Sequence, residues 1–71
     1  MTLNLSARNQ ISGTVKSVSL GGIMAEVVID IGGGNEIVAA ITRNSAEGLG
    51  PAEGKKVVAV IKATGVMVAV E

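Results

Sequence analysis

Along most of this chain the apolar residues recur with period two and are heavily β-branched, which places them on one face of an extended strand rather than along the stripe of a helix. Ile11, Gly13 and Val15 alternate with Ser12, Thr14 and Lys16, predicting a strand with one wet face that ends at Gly21-Gly22. From Met24 to Ile31, one face carries Ala25, Val27, Ile29 and Ile31. The other carries Met24, Glu26, Val28 and Asp30 and is only half polar. Gly32-Gly33-Gly34-Asn35 supplies the positive-φ residues that a tight hairpin demands, and Glu36 to Thr42 returns as the partner strand. Lys56 to Lys62 reads as a fourth strand, apolar on both faces from Val57 to Ile61. Ala63-Thr64-Gly65 then turns the chain into a fifth over Val66 to Val70. The one helical segment is Asn44 to Leu49: Asn44 is placed to cap it, Glu47 to complete a capping box, and Gly50 and Pro51 to end it. A helix between strands three and four of a five-stranded antiparallel set is the order of the OB-fold, so the expected class is an all-β Greek-key barrel with one short helix, a single domain over residues 1–71.

A chain of 71 residues buries only about 60% of its unfolded surface as a monomer. It ordinarily needs disulfides, a metal or partner subunits for a comfortable margin. With no Cys and no His, neither staple is available, while 48% of the residues are hydrophobic. Self-association into a homo-oligomer is the expected remedy, with strand four covered by core on one face and by another subunit on the other. Net charge is +0, so no long-range field draws nucleic acid or an anionic membrane. Phe, Tyr and Trp are absent, which removes the stacking platforms of single-strand-binding barrels. The apolar runs are far shorter than the roughly 20 residues that span a bilayer, and MTLNLSARNQ lacks the basic start and apolar stretch of a secretory signal, so a cytoplasmic location is expected.

Reactive groups are mostly eliminated. Without His or Cys there is no nucleophile with an imidazole base and no ordinary zinc site. Glu26, Asp30, Glu36, Glu47, Glu53 and Glu71 are scattered rather than gathered in a cation-binding loop, so neither catalysis nor a resident metal cation is expected. Neither Gly21-Gly22 nor Gly32-Gly33-Gly34 has the spacing of a phosphate loop. Gly21-Gly22 nevertheless ends a strand where bare N–H groups can face an anion. Ser6-Ala7-Arg8-Asn9 packs a hydroxyl, a guanidinium and an amide into four residues ahead of strand one. Those residues serve equally as a polar lead-in with Ser6 or Asn9 closing a turn. Lys62, followed at once by the small residues Ala63-Thr64-Gly65, sets a cation beside open backbone donors, or simply marks a strand end.

Taken together, SARNQISGTV, the AEVVIDI strand with its GGGNEI hairpin, TRNSAEGLG, and VIKAT followed by VMVAV resemble the molbindins, the Mop-type molybdate-binding proteins whose domain also occurs as the TOBE type, over nearly the whole chain. The resemblance implies a strand-exchanged dimer, three dimers forming a hexamer, and molybdate or tungstate bound between subunits for storage, buffering or delivery. Position by position it implies that Ser6, Ala7 and Arg8 of one subunit, supported by Asn9, face Lys62 and Ala63 of another. Ser6 would give its hydroxyl, Ala7 and Arg8 their N–H groups, and Lys62 its ammonium. Where many relatives have Ser after the lysine, this chain has Ala63, which offers only its backbone N–H. The family's second kind of anion site, near a threefold axis, would fall on Gly21, Gly22 and Ile23, here preceded by Leu20 where relatives carry Lys. No catalytic cofactor is implied. The readings set against this one are a structural or regulatory OB-type interaction module and a nucleic-acid-binding barrel.

Overall fold

The period-two pattern resolves into strands, and the computed structural model describes residues 4–71. Strand β1 spans Asn9–Leu20, β2 Met24–Gly32, β3 Asn35–Thr42 and β4 Lys56–Ile61. One short helix, α1, covers Arg43–Leu49 between β3 and β4, and a single 3-10 turn follows β4 at Ala63–Gly65. The four strands form one antiparallel sheet in the order β3-β2-β1-β4.

β1 holds the sheet together by changing partners along its length. Its first half, Asn9 to Thr14, pairs with β4, and its second half, Thr14 to Leu20, pairs with β2. Near the changeover the β1–β2 register shifts between Val15 and Ser17, leaving Lys16 as the extra residue. Such a bulge bends the strand and tightens its twist, which curls the sheet. Gly13 sits at the tightest approach. A Cβ there would lie 2.6 Å from Cγ2 of Ile29 and 2.7 Å from the carbonyl oxygen of Asp30, so only glycine lets β1 come this close to β2.

The concave face carries the core. Val15, at 1% exposure the most buried side chain of the core, packs with Val27, Ile29 and Ala59, and Ile11, Val18, Ile31, Ile37, Ala39, Ile41 and Val57 surround them half-buried. Burying a Val or Ile side chain is worth about 1.5–3 kcal/mol each. The expected inward face of strand two is therefore observed, with Ala25, Val27 and Ile29 all buried. The hairpin is also as expected: Gly33 and Gly34 have φ of 63° and 79°, and the Asp30 carboxylate accepts a hydrogen bond from the Gly32 N–H at 2.8 Å.

Two expectations are corrected. Residues Val66 to Val70 are not a fifth strand. Beyond the 3-10 turn they join no ladder, and Met67, Val68 and Val70 are about nine-tenths exposed. Alternating β-branched residues favour extended backbone, but a strand also needs a neighbour, and among the described residues this segment pairs with none. In consequence β3 and β4 are both free edges, and an open trough of about 1210 Å³ runs along the concave face instead of a closed barrel. The helix also begins earlier than predicted. Thr42, extended at φ −68° and ψ 149°, is the cap, and its Oγ1 accepts from the Ser45 N–H at 3.1 Å. Asn44 is already inside the helix, and Glu47 pairs with Arg43 at 3.4 Å rather than completing a capping box. Gly50 ends it as predicted, left-handed at φ 65°.

The fold makes opposite predictions for two glycines. Gly13→Ala should destabilise the protein by about 1–3 kcal/mol through overpacking. Gly48→Ala, in α1 with no atom within 4 Å of the new methyl group, should stabilise by up to about 1 kcal/mol. Urea unfolding of both variants at one protein concentration checks the signs.

Candidate functional site

The register of β1 against β4 brings the two predicted donor segments together. Asn9 is opposite Ile61 in the outermost pair of that ladder, so Ser6, Ala7 and Arg8 enter it at the same end from which Lys62 and Ala63 leave. Segments 54 residues apart, from Arg8 to Lys62, are thus neighbours within one chain. Ser6, Arg8, Asn9, Lys62 and Ala63 are exposed, and Ala7 is half-buried.

Local hydrogen bonds occupy several carbonyls at this end. Gln10, which the sequence reading did not single out for a role, donates from Nε2 to the Ala7 carbonyl at 2.7 Å. That engages an acceptor beside the donors. The Lys62 and Ala63 carbonyls are likewise taken by the N–H groups of Gly65 at 2.9 Å and Val66 at 3.3 Å. The spacing SARNQ contains the signal for Gln10, since a residue three beyond Ala7 can reach back to its carbonyl in a turn.

The cations divide by their commitments. Lys16 pairs with Glu36, whose hydrogen bond and charge raise the lysine above its ordinary pKa. Arg43 pairs with Glu47, and Lys55 donates to the carbonyls of Leu49 and Gly50 at 3.4 and 3.2 Å, closing the end of α1. Among the described residues, Arg8, Lys56 and Lys62 have no acceptor, and two of these three stand at the same end of the β1–β4 ladder. A hydroxyl, an amide, a guanidinium and an ammonium gathered there form a donor set suited to an anion. No group of three or more carboxylates among the described residues could hold a metal ion.

The weaker candidates, Gly21, Gly22 and Ile23, form the turn at the opposite end of β1. The Gly21 N–H is engaged by the Met24 carbonyl at 2.8 Å, so it is closed to a ligand in this turn. The N–H groups of Gly22 and Ile23 have no acceptor among the described residues, and Ile23 is 81% exposed. The structure therefore brings Ser6 to Asn9 together with Lys62 and Ala63, and holds Gly21 to Ile23 apart from them.

Comparison with known proteins identifies the family. The family model of the TOBE domain matches residues 5–68. Molybdenum-pterin-binding protein 1 of Clostridium pasteurianum is 48% identical over 66 residues, covering 93% of this chain and 97% of that protein. The solved structure of a molybdate-binding protein from Sporomusa ovata superposes with a TM-score of 0.87 at 42% identity, covering 94% of this chain and 98% of the other. The cytoplasmic molybdate-binding protein ModG, solved with molybdate bound, gives a TM-score of 0.80 at 43% identity. There the match covers 86% of this chain and 43% of ModG. A family model spanning nearly the whole sequence, and a relative 48% identical over 97% of its own length, make this chain a member of the TOBE domain family.

Proposed function

We propose that this protein binds molybdate or tungstate as intact oxyanions between the subunits of a cytoplasmic homo-oligomer, serving molybdenum storage, buffering or delivery without catalysis of its own. The observation that carries this reading is the convergence of Ser6, Arg8, Asn9 and Lys62 at one end of the β1–β4 ladder, in a chain similar to molybdate-binding proteins. The cytoplasmic location rests on the likeness to ModG, which is described as cytoplasmic. In this reading Ser6 gives its hydroxyl, Ala7, Arg8 and Ala63 their N–H groups, and Lys62 its charge. Recognition is by directed donors alone. A fully deprotonated dianion suits such a site, whereas monohydrogen phosphate brings a proton that needs an acceptor.

The exposure of these donors explains why a second subunit is part of the proposal. In one chain the anion would sit in water, where each hydrogen bond only replaces a solvent contact. A second chain laid over this end supplies donors from the far side and excludes water. The same chain offers two bare sheet edges and the exposed arm Val66 to Val70. In the proposed dimer each arm crosses to pair with a free edge of its neighbour as the missing fifth strand, and three such dimers make the hexamer.

Three measurements test the reading. Light scattering at low micromolar concentration should give an oligomeric mass, expected to be that of six chains, and a chain truncated after Gly65 should lose it. A folded monomer from the full chain would remove the shared site. Molybdate and tungstate should raise the melting temperature, since a ligand at about 100 times its Kd adds about 2.7 kcal/mol. Single-stranded DNA or RNA should leave it unchanged. Nucleic-acid binding without an oxyanion response would instead favour a nucleic-acid-binding barrel, and no response to either would leave an interaction module. In calorimetric titration Lys62→Met should weaken molybdate binding at least about tenfold, the loss of a charge-assisted hydrogen bond of about 1.5–3 kcal/mol. The control Lys16→Met, whose partner is Glu36 on the outer surface, should bind as the parent does.

A further inference from the structure

The β1–β4 ladder stops one bonded pair short of where its register would carry it. Ile11 lies opposite Ala59 and Asn9 opposite Ile61, so the next pair of that kind outward would be Ala7 with Ala63. In an antiparallel ladder, opposite pairs alternate between those that exchange N–H···O bonds and those that do not. The Val15 N–H donates to the Lys55 carbonyl at 2.9 Å, which puts the odd-numbered residues of this half of β1 in the bonded class. Ala7 and Ala63 would therefore bond to each other if the strands ran on. They do not, and both carbonyls are engaged elsewhere. Gln10 Nε2 donates to that of Ala7 at 2.7 Å, and the Val66 N–H donates to that of Ala63 at 3.3 Å. The N–H groups of Ala7 and Ala63 are left with no acceptor among the described residues.

The two diversions differ in kind. At Ala63 the donor is the main chain at the end of the 3-10 turn. At Ala7 it is a single side chain, half-buried and rooted in the ladder opposite Val60, which reaches back three residues. Without that amide the Ala7 carbonyl would be open, and the register sets the Ala63 N–H before it. A backbone donor and acceptor placed face to face pair with each other. The ladder would then close by one bond and consume a donor that the oxyanion-binding reading assigns to the ligand.

We infer that Gln10 is a positioning residue for the oxyanion site: by holding the Ala7 carbonyl it keeps the end of the β1–β4 ladder forked, so that the N–H groups of Ala7 and Ala63 stay available to an acceptor from outside the sheet. This rests on the oxyanion-binding reading above. It applies equally whether the two donors meet around one anion or serve anions shared with different neighbours, since each is withheld from the other within its own chain. Gln10 acts through the backbone and does not touch the anion.

Hydrogen exchange of the ligand-free, full-length protein, followed at single amides by NMR, tests this together with calorimetric titration of molybdate. Gln10→Met keeps the length of the side chain and removes its donor. In that variant the Ala63 amide should exchange several-fold more slowly than in the parent, because it gains a ladder bond. Molybdate affinity should fall about two- to tenfold, the weight of one hydrogen bond. A turn that had merely loosened would speed exchange instead. Gln10→Lys, whose ammonium can reach the same carbonyl, should return the Ala63 amide to its parental rate. If Gln10→Met does not fold, Gln10→Glu, of the same shape but without a donor, is read in its place. An Ala63 amide that exchanges as fast as in the parent, or faster, overturns the inference whatever the affinity does. Slowed exchange with unchanged affinity overturns it too, because the fork would then not serve the ligand. A parent that takes up no molybdate defeats the function proposed for the chain, and the exchange rates still report whether Gln10 holds the fork open.

Discussion

The close approach of β1 to β2 at Gly13 is the constraint on which the rest of the structure depends. With Ile29 and the Asp30 carbonyl within 2.7 Å of where a Cβ would stand, the two backbones meet with nothing between them. That contact allows one strand to leave β4 and join β2 within a few residues, and so to belong to both halves of the sheet. Val15, buried beside it, seals the junction. Both candidate anion sites inherit their positions from this strand, since one lies at each of its ends.

The core built around that junction is small. Among the described residues its buried members are Val15, Ala25, Val27, Ile29, Ala46 and Ala59, none larger than isoleucine, and no polar residue is buried with them. Against this stands the apolar surface left bare on Ile23, Val38, Leu49, Met67, Val68 and Val70, each at least 60% exposed. A chain that hides so little and exposes so much lies far from the balance expected of a small soluble monomer. In the proposed oligomer, assembly and ligand binding would be linked in physical terms, because the surface that covers the apolar residues would also take the donors out of water.

Most of the fold was legible in the sequence because its signals are local. Period-two patterning located four strands, three consecutive glycines located the hairpin, and Gly50 located the helix end. The fifth strand failed for a non-local reason. Val66 to Val70 has the composition of a strand, yet pairing requires a partner edge that no property of the segment itself can supply. The cap was missed because Thr42 belongs at once to β3 and to the helix start, and extended backbone, which a cap needs, is what the last residue of a strand already has. At the candidate site, residue types were readable, but the family resemblance set Ser6 to Arg8 of one subunit against Lys62 of another. The Asn9–Ile61 register instead sets both segments at one end of the same chain's ladder, a proximity that residue types alone do not reveal. Gln10 and Arg43 were not assigned roles because both act on backbone carbonyls, contacts to which hydropathy patterning is blind.

The extra residue at Lys16 has a consequence for how this sequence tolerates change. Ahead of it the inward side chains occupy odd positions, Ile11, Gly13 and Val15, and beyond it even ones, with Val18 facing Val27. The bulge is a phase shift written into the chain, and the sequence is in frame with it on both sides. Deleting one interior residue of β1 other than Lys16 itself would therefore do more than shorten a strand. It would put the two halves of the strand out of phase, turning Ser17 and Ser19 toward the core or Ile11 and Val15 toward water, while most substitutions disturb only their own position. In this strand, length carries as much information as composition.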